Sequence, residues 1–371
     1  MAHAVVIGGG ITGASIAYHL AARGVNVELL ERAGLASGPT GRSTAIIREH
    51  YSQPLLVRMA SHGRRAYAGF REEIGSTAGF ERVGLLVGAD LADGNAIEHN
   101  VGLGRSLGVS TQLVDADDLR EIDPRVEHGG LVWCWEPEAG VCDPYAATAG
   151  YAAAAGRLGA RIETGRRVDS LAELEADAIV VAAGPWSAPL LAPLGYDLPI
   201  VVARAEVGRY RLPLGETAPP SIADFSALGF YVRPAADGVV EVGSLDPRHI
   251  ERPVDPDSAP NFAEPETLDA YARAIAARVP DLAGGHWRGS WSGLYDVTPD
   301  WHPAIGEVAE GVYVAAGFSG HGFKLAPAVG VSIAELIVDG AAASFDLTPL
   351  APDRFERGEL LSAQYGYSVL A

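Results

Sequence analysis

Residues 8–13 carry the first pattern in this sequence that implies ligand binding. They read Gly-Gly-Gly-Ile-Thr-Gly, which contains G-x-G-x-x-G, and Glu31 follows 18 residues after the last glycine. In such a loop Gly8 permits a tight turn, Gly10 lets the backbone approach a pyrophosphate, and Gly13 lets a helix pack against a strand. A carboxylate placed like that of Glu31 accepts hydrogen bonds from an adenosine ribose. The pattern predicts a dinucleotide site and leaves both NAD and FAD open.

Residues 317–324 form a second glycine-rich stretch, Gly-Phe-Ser-Gly-His-Gly-Phe-Lys, which ends on the only lysine of the chain. The other 27 of the 28 basic residues are arginines. An ammonium is a compact point charge and a guanidinium is planar, so a lysine retained in an arginine-rich chain suggests a site that needs the smaller cation. Because buried cations bind carboxylates strongly, Lys324 is a candidate to bind an acidic ligand. Survival of this lysine by chance is the alternative.

Each glycine-rich stretch lies between a predicted strand and a predicted helix. Residues 4–7 are apolar and β-branched, residues 14–23 read as a helix, and residues 27–30 read as a second strand. Around the second stretch, residues 311–316 predict a strand and residues 328–338 an apolar helix. Helix N-termini offer free N–H groups and a positive dipole end to anions. Both stretches are therefore expected to face a ligand.

Residues 34–44 favour FAD over NAD. They are mostly small and carry Arg42 together with hydroxyl side chains such as Thr40 and Ser43. These groups suit a second set of phosphate and ribityl contacts, whereas an NAD-binding unit usually proceeds to its third strand at this point. A surface loop is the alternative on composition alone.

The composition limits how many domains the chain can form and which kinds of partner it can bind. A chain of 371 residues with 48% hydrophobic residues can form two domains or one large composite domain. The formal charge of −19 argues against binding nucleic acid or an anionic membrane, which need a basic face. No run approaches the 18 or so apolar residues of a transmembrane helix, so we expect a cytoplasmic protein without membrane contact.

Three other kinds of site are not predicted. Cys134 and Cys142 are the only cysteines, which excludes a disulfide scaffold or a cysteine-rich zinc site. The ten histidines show no metal-binding spacing, so no metal is expected. Residues 317–321 do not match G-x-S-x-G, because His321 occupies the fifth position, so no nucleophile elbow is indicated.

In these stretches the chain resembles the flavin-dependent D-amino-acid oxidase superfamily, and most closely its sarcosine oxidase and dimethylglycine dehydrogenase branch. Residues 177–187 (DAIVVAAGPWS) are similar to the strand and turn at which the chain returns to the flavin. Residues 230–245 (FYVRPAADGVVEVGSL) resemble a substrate-domain hairpin, and residues 317–324 resemble the C-terminal flavin loop of monomeric sarcosine oxidase. The likeness spans the chain from first strand to last helix, and its octapeptide at 317–324 is the most diagnostic piece.

The resemblance implies a set of site residues. It places Lys324 at the lysine, and Arg48 at the arginine, that bind the substrate carboxylate, with Tyr295 and His321 near flavin and substrate. For Tyr295 and His321, a packed aromatic residue and an ordinary loop residue are the alternatives. Motifs and resemblance together predict these FAD contacts: Gly8, Gly10, Ile11, Thr12, Gly13, Glu31, Arg32, Thr40, Arg42, Ser43, Val168, Ala183, Gly184, Trp186, Gly317, Gly320, Gly322 and Phe323.

The implied fold class is α/β, with a Rossmann-like FAD-binding domain of the glutathione-reductase type interleaved with an antiparallel α+β substrate domain. We assign residues 1–80, 141–200 and 306–371 to the FAD-binding domain. Residues 81–140 and 201–305 form the substrate domain, which is expected to cover the reactive face of the flavin.

Two positions depart from the family pattern. Monomeric sarcosine oxidase attaches its flavin through a cysteine two residues before the tyrosine matched by Tyr295, and Gly293 stands there in this chain. We therefore predict non-covalent FAD. The hairpin lysine associated with oxygen activation in the family aligns with Glu241, which weakens the case for a fast oxidase. Oxygen and an unidentified redox partner both stay open as electron acceptors.

The function expected from these residues is FAD-dependent oxidation of the C–N bond of a small amino acid by hydride transfer to flavin N5. The resemblance favours a secondary or N-methylated, sarcosine-like substrate. A 2-hydroxy-acid oxidoreductase is an alternative, because the same cations would bind its carboxylate. An FAD-binding subunit of a larger dehydrogenase complex is another.

Overall fold

The computed structural model describes residues 2–364. Within that range the strands are β1 (His3–Ile7), β2 (Asn26–Glu31), β3 (Ile46–Ile47), β4 (Glu81–Arg82), β5 (Leu85–Ala89), β6 (Gln112–Val114), β7 (Val132–Glu136), β8 (Gly140–Val141), β9 (Arg161–Thr164), β10 (Ala178–Val181), β11 (Val201–Arg211), β12 (Ser221–Asp224), β13 (Phe230–Ala235), β14 (Val239–Ser244), β15 (His286–Val297), β16 (Ala304–Ala309) and β17 (Val312–Ala316). The α-helices are α1 (Ile11–Ala22), α2 (Pro54–Ala68), α3 (Phe70–Ile74), α4 (Gly94–Ser106), α5 (Ala116–Ile122), α6 (Pro144–Arg157), α7 (Ser187–Leu191), α8 (Pro265–Arg278), α9 (Gly322–Asp339) and α10 (Arg354–Arg357). Short 3-10 turns link several of them.

A six-stranded sheet in the order β16-β17-β10-β1-β2-β9 contains the predicted dinucleotide strand near its centre. Strands β17, β10, β1, β2 and β9 pair in parallel, and β16 is antiparallel to β17. Strand β1 is buried after its first residue, as expected for a parallel strand covered on both faces. The predicted Rossmann-like α/β class is confirmed.

Helices α1, α6, α2 and α9 cover one side of this sheet, with α1 in contact with both α6 and α9. The approach of α1 to α9 is close because Gly330 has no side chain: a Cβ atom there would lie 2.3 Å from Ser15 Oγ. The apolar core beneath them includes Val6, Leu29 and Ile333.

A second, eight-stranded sheet has the order β15-β11-β14-β13-β12-β5-β7-β6. Its pairs are antiparallel, as predicted for the substrate domain, except β12 with β5, which is parallel. Strand β12 follows β11 in the chain but is not its neighbour in the sheet, because β14 and β13 lie between them. The predicted hairpin of residues 230–245 is present as β13 and β14, with Arg233 opposite Glu241.

The last helix begins earlier than the sequence indicated. Residues 328–338 were the predicted helix, and α9 starts at Gly322 and contains Pro327. A proline cannot donate to the carbonyl four residues before it, and here the Tyr67 hydroxyl donates to that carbonyl, Phe323 O, at 2.7 Å. This side-chain donor compensates for the missing backbone bond. Lys324 therefore lies in the first turn of a helix, which fixes its backbone.

Candidate active site

The dinucleotide loop is shaped by backbone contacts that leave no space for side chains. Gly8 has a φ of +113°, and a Cβ atom on it would lie 2.3 Å from Ala182 O at the end of β10. A Cβ atom on Gly13 would lie 1.9 Å from Gly8 O. These contacts match the two roles that the sequence predicted for the glycines, which are a tight turn at Gly8 and close helix packing at Gly13.

The N-terminus of α1 presents backbone N–H groups at the end of this loop. Gly10 is the N-cap residue and offers no side chain to cap the first turn. Thr40 approaches instead, and its Oγ1 accepts a hydrogen bond of 3.1 Å from the Ile11 N–H. Thr12 and Gly13 lie in the same first turn. N–H groups at a helix N-terminus are suited to a pyrophosphate, so this turn fits a dinucleotide.

The carboxylate of Glu31 lies against the glycine-rich loop of residues 8–13. Its two oxygens accept hydrogen bonds from the backbone N–H groups of Gly9, at 2.7 Å, and Ala33, at 2.8 Å. A carboxylate has further lone pairs, so these bonds orient Glu31 and still leave acceptor capacity for ribose hydroxyls.

Next to Glu31, Arg32 and Trp186 form one cluster with a residue of the loop between β14 and α8. The Arg32 guanidinium lies 3.9 Å from the centre of the Trp186 ring. Both side chains donate to Asp257 Oδ1, Arg32 at 2.7 Å and Trp186 Nε1 at 3.0 Å. Asp257, which the sequence did not indicate, thus connects this loop to the segments that follow β2 and β10.

The loop that favoured FAD packs on β15 near the site. Trp291 Nε1 donates to the Arg42 carbonyl at 2.9 Å, and a Cβ atom on Gly293 would lie 3.5 Å from the same oxygen. Ser43 Oγ accepts from the Ala45 N–H at 3.0 Å. The turn that contains Arg42 therefore packs directly on β15 at Trp291 and Gly293.

The other predicted contacts lie around the carboxyl ends of the parallel strands. Gly317 and Gly320 have φ values of +75° and +87° in the turn that leads into α9, and Gly184 has a φ of +54° after β10. Ala183 is adjacent to Gly8, and Val168 packs at the edge of the core below β1 and β2. Gly322 and Phe323 are the first two residues of α9.

Lys324 and Arg48 are both only 5% exposed and interact electrostatically. Burial, and then the positive charge of Arg48, hold the pKa of Lys324 well below its ordinary value. Lys324 Nζ donates to the His321 carbonyl at 3.3 Å, and no ion pair of Lys324 occurs within residues 2–364. The Arg48 guanidinium lies 4.3 Å from the centre of the Tyr51 ring. Two buried cations side by side make a site that an anion would stabilise.

His321 is held as a neutral imidazole by two partners. Nε2 lies 2.8 Å from the Trp301 carbonyl, which can only accept, so Nε2 carries the proton. Nδ1 then accepts from the Tyr51 hydroxyl at 3.2 Å. Burial, and next the charges of Lys324 and Arg48, lower the pKa of His321 well below its ordinary value. His321 therefore adds no charge beside the two cations.

Tyr295 lies against the same turn. A Cβ atom on Gly320 would lie 2.6 Å from Tyr295 Cζ, so this glycine lets the turn rest on the ring. Burial raises the pKa of Tyr295 to about 12, which keeps the hydroxyl protonated. The structure thus brings Tyr295 of β15 and Lys324 of α9 to the turn that contains His321, with Arg48 beside them.

Sequence reasoning missed a buried acidic group near Arg48. Glu49 Oε2 accepts from Arg64 Nε at 2.7 Å, and the Glu49 N–H donates to Glu136 Oε2 at 3.0 Å. Burial raises the pKa of Glu136 to about 7, against the effect of its hydrogen bond to Glu49. No local signal could have found this pair, because its members are 87 residues apart in the chain.

Glu241, the position that departs from the family lysine, is 8% exposed and paired. Its Oε2 lies 2.8 Å from Arg233 Nε and 2.6 Å from Arg233 Nη2 on the adjacent strand. The pair is neutral overall, so this position supplies no net positive charge.

Residues 3–336 match the family model described as FAD dependent oxidoreductase. The chain belongs to this family. The predicted D-amino-acid oxidase resemblance is thereby confirmed, as are the enzyme class and FAD as the cofactor. The N–H donors of the first turn of α1, the oriented Glu31 carboxylate and the close-packed Gly8 and Gly13 fit this cofactor.

Curated members of the family resemble the chain along nearly all of its length. It is 29% identical to a 4-methylaminobutanoate oxidase (formaldehyde-forming) of Paenarthrobacter nicotinovorans, with 95% of the chain but only 45% of that protein covered. It is 26% identical to a glycine oxidase of Geobacillus kaustophilus, covering 94% and 96% of the two chains. It is 28% identical to a human peroxisomal sarcosine oxidase, covering 95% and 96%. The chain thus spans less than half the length of the first of these relatives.

Among solved structures of the family, L-proline dehydrogenase from P. horikoshii superposes with a TM-score of 0.87 at 29% identity. The superposition covers 97% of this chain and 99% of the other. Within residues 2–364, none of the helices has the length and hydropathy needed to cross a bilayer.

Proposed function

We propose that this flavoenzyme oxidises the C–N bond of a small amine that carries a carboxylate, with a secondary or N-methylated amino acid as the preferred substrate. The observation that carries the proposal is the pair of buried cations, Lys324 and Arg48, beside the turn of residues 317–321. An anionic ligand would offset the cost of holding two positive charges out of water.

The names of similar proteins support the amine part of the proposal. Methylaminobutanoate, sarcosine and proline, the compounds named for three of them, are secondary amines with a carboxylate. Glycine, named for a fourth, is a primary amine. All four are small molecules with one amine and one carboxylate, and the carboxylate is the group that the cations suit.

In this proposal each side chain has a defined task. Lys324 and Arg48 bind the carboxylate, and Tyr295 with neutral His321 forms the wall that orients the reacting carbon. When bound, FAD would supply the acceptor for the hydride that leaves that carbon, which carries both electrons of the oxidation. The six-stranded sheet holds FAD at the carboxyl ends of its strands, and the eight-stranded sheet covers the substrate side. Holding both partners in fixed orientation is the main contribution of the protein.

Anaerobic mixing of the FAD-loaded protein with candidate substrates tests the proposal. Sarcosine, N-methyl amino acids, proline, pipecolate, glycine and D-amino acids are compared with a set of 2-hydroxy acids, and the loss of the flavin absorption band is recorded. Bleaching by at least one amine, fastest with a secondary one, is expected. Bleaching by a hydroxy acid alone would replace the proposal with the hydroxy-acid function. No bleaching by any compound would favour an FAD-binding subunit.

The electron acceptor is tested in the same cuvette. Because the Glu241–Arg233 pair adds no net positive charge, we propose that reduced enzyme reacts slowly with oxygen and passes electrons to another acceptor. Admission of air after bleaching should restore the flavin band slowly, and an artificial acceptor dye should restore it faster. Equal rates would contradict this assignment.

A further inference from the structure

Asp296 is a buried carboxylate in the candidate site that neither the motifs nor the family resemblance indicated. It follows Tyr295 on β15, so its side chain points to the opposite face of the strand. It is 7% exposed, and no ion pair involving it occurs in the part of the chain that the structure describes. A buried carboxylate without a counter-charge is costly unless hydrogen bonds stabilise it.

The hydrogen bonds of Asp296 come from the turn that leads into α9. Asp296 Oδ2 accepts from the Gly317 N–H at 2.8 Å, and the Phe318 N–H also contributes to the carboxylate. The backbone carbonyl of Asp296 accepts from the Ser319 N–H at 3.1 Å. One residue thus binds three successive residues of this turn.

The same carboxylate faces the turn after β10. A Cβ atom on Gly184 would lie 4.0 Å from Asp296 Oδ2, so the two turns approach each other at this side chain. Gly184 and Gly317 both have positive φ and both are proposed FAD contacts. Asp296 therefore lies between two segments that are proposed to contact the cofactor.

We propose that Asp296 is a positioning residue for the cofactor, whose ionised carboxylate holds the 317–319 turn in the conformation that receives FAD. A carboxylate accepts from two N–H groups without offering a donor, whereas a protonated carboxyl carries a proton of its own. The inference rests on the proposed FAD contacts of Gly184 and Gly317. It does not depend on the identity of the substrate.

The surrounding titratable groups are engaged with other partners. Arg204 on β11 pairs with Glu206 at 2.8 Å, and Asp300 after β15 pairs with Arg354 at 2.9 Å. On neighbouring segments, His302, His321 and Lys324 bind backbone carbonyls, and the adjacent Tyr295 is protonated because burial raises its pKa to about 12. Burial raises the pKa of Asp296 to about 6, opposed by its N–H donors. The ionised form is therefore lost as the pH falls through about 6.

The test measures the dissociation constant of FAD from apoprotein between pH 5 and pH 8 by flavin fluorescence. For the unaltered protein, binding should weaken several-fold as the pH falls below about 6. Asp296→Asn keeps the shape but directs an amide donor at one of the N–H groups, so it should bind FAD several-fold more weakly at pH 8. Its affinity should also vary less with pH.

Asp300→Asn provides the matched control, since it removes a buried carboxylate four residues away that is ion-paired. It should lower thermal stability and leave the difference in FAD affinity between pH 5 and pH 8 as it is in the unaltered protein. If Asp296→Asn does not fold, Asp296→Ser takes its place. A flat pH profile in the unaltered protein, or an unchanged profile in the Asp296 variant, would overturn the proposal. Both readouts use FAD alone, so failure of the substrate assignment would not affect them.

Discussion

At the scale of single residues, the electrostatics of the site depend on ionisable side chains that are buried. Lys324, Arg48 and His321 are close together, and the first two are basic side chains that are buried. The imidazole is kept neutral because burial and both cations disfavour a third charge. An anionic ligand would stabilise this arrangement, which is the basis of the first two predictions.

Removing the ammonium should weaken carboxylate binding with little effect on FAD. In Lys324→Met a buried, charge-assisted hydrogen bond of about 3 kcal/mol is lost, which corresponds to about 100-fold in the dissociation constant of a carboxylate inhibitor. Titration of the flavin spectrum with acetate or a substrate analogue measures it. Arg58→Met, which alters another arginine, should leave the constant unchanged. Equal affinity in Lys324→Met would contradict the role given to this lysine.

The lowered pKa of Lys324 gives carboxylate binding a pH dependence of known sign. The ligand binds the ammonium form, and that form is lost as the pH rises through the lowered pKa. The affinity for a carboxylate should therefore fall with rising pH, at values below those at which an ordinary lysine titrates. The same spectral titration, repeated across the pH range, should show this trend in the unaltered protein and lose most of it in Lys324→Met.

Gly293 governs the attachment of the flavin. Since a glycine has no side chain and both cysteines are buried elsewhere, the flavin should be released when the protein is precipitated with acid. Flavin absorbance in the supernatant is the measurement. Flavin retained in the washed pellet would show a covalent link and refute this prediction.

At the scale of elements, helix α2 positions the first turn of α9. A Cβ atom on Gly63 would lie 1.9 Å from Lys324 O, and Tyr67 donates to the Phe323 carbonyl that Pro327 leaves without a backbone partner. The Tyr67 ring also stacks on Phe323, with centres 5.1 Å apart. The lysine is thus placed by contacts from a helix that precedes it by about 260 residues.

Gly63→Ala should displace the two helices from each other. The expected loss is about 1–3 kcal/mol of unfolding free energy, as for other overpacked positions, together with weaker carboxylate binding because Lys324 moves. Gly102→Ala in α4 is the matched control, since no atom lies within 4 Å of a Cβ built there. It should be neutral or slightly stabilising. Chemical denaturation measures both variants, and equal stability would contradict the packing argument.

At the scale of the whole molecule, the two sheets are joined at the cofactor site by long connections. The loop that carries Asp257 leaves the eight-stranded sheet and contacts Arg32 and Trp186 beside the dinucleotide loop. Because the Arg32–Asp257 pair is partly exposed, it contributes only about 0.2–1 kcal/mol.

Asp257→Ala should therefore speed the release of FAD by a few-fold at most, and more at low than at high salt. The rise in flavin fluorescence after dilution of the loaded protein measures this rate. Asp281 is an exposed aspartate in the turn between α8 and β15, and Asp281→Ala should leave the rate of FAD release unchanged. A rate that does not respond to the Asp257 substitution at low salt would rule out a role for this contact in retaining FAD.

The sequence by itself determined the dinucleotide strand–turn–helix, because its constraints are local. Gly8 and Gly13 allow a backbone that other residues could not adopt within a few positions of each other, and alternating or continuous apolar runs specify the strands around them. The start of α9 was missed because the donor that compensates for Pro327 comes from Tyr67, far away in the chain. Local propensity contains no information about such a partner.

Only the tertiary structure decided the electrostatics of the site. Lys324 was singled out by its rarity, but its depressed pKa arises from burial and from Arg48, which is 276 residues away. Asp296 had no signal in the sequence, since an aspartate on a strand acquires a function only when two distant turns enclose it. Burial and the approach of charges depend on the folded arrangement of all segments, and therefore no spacing within one segment can predict them.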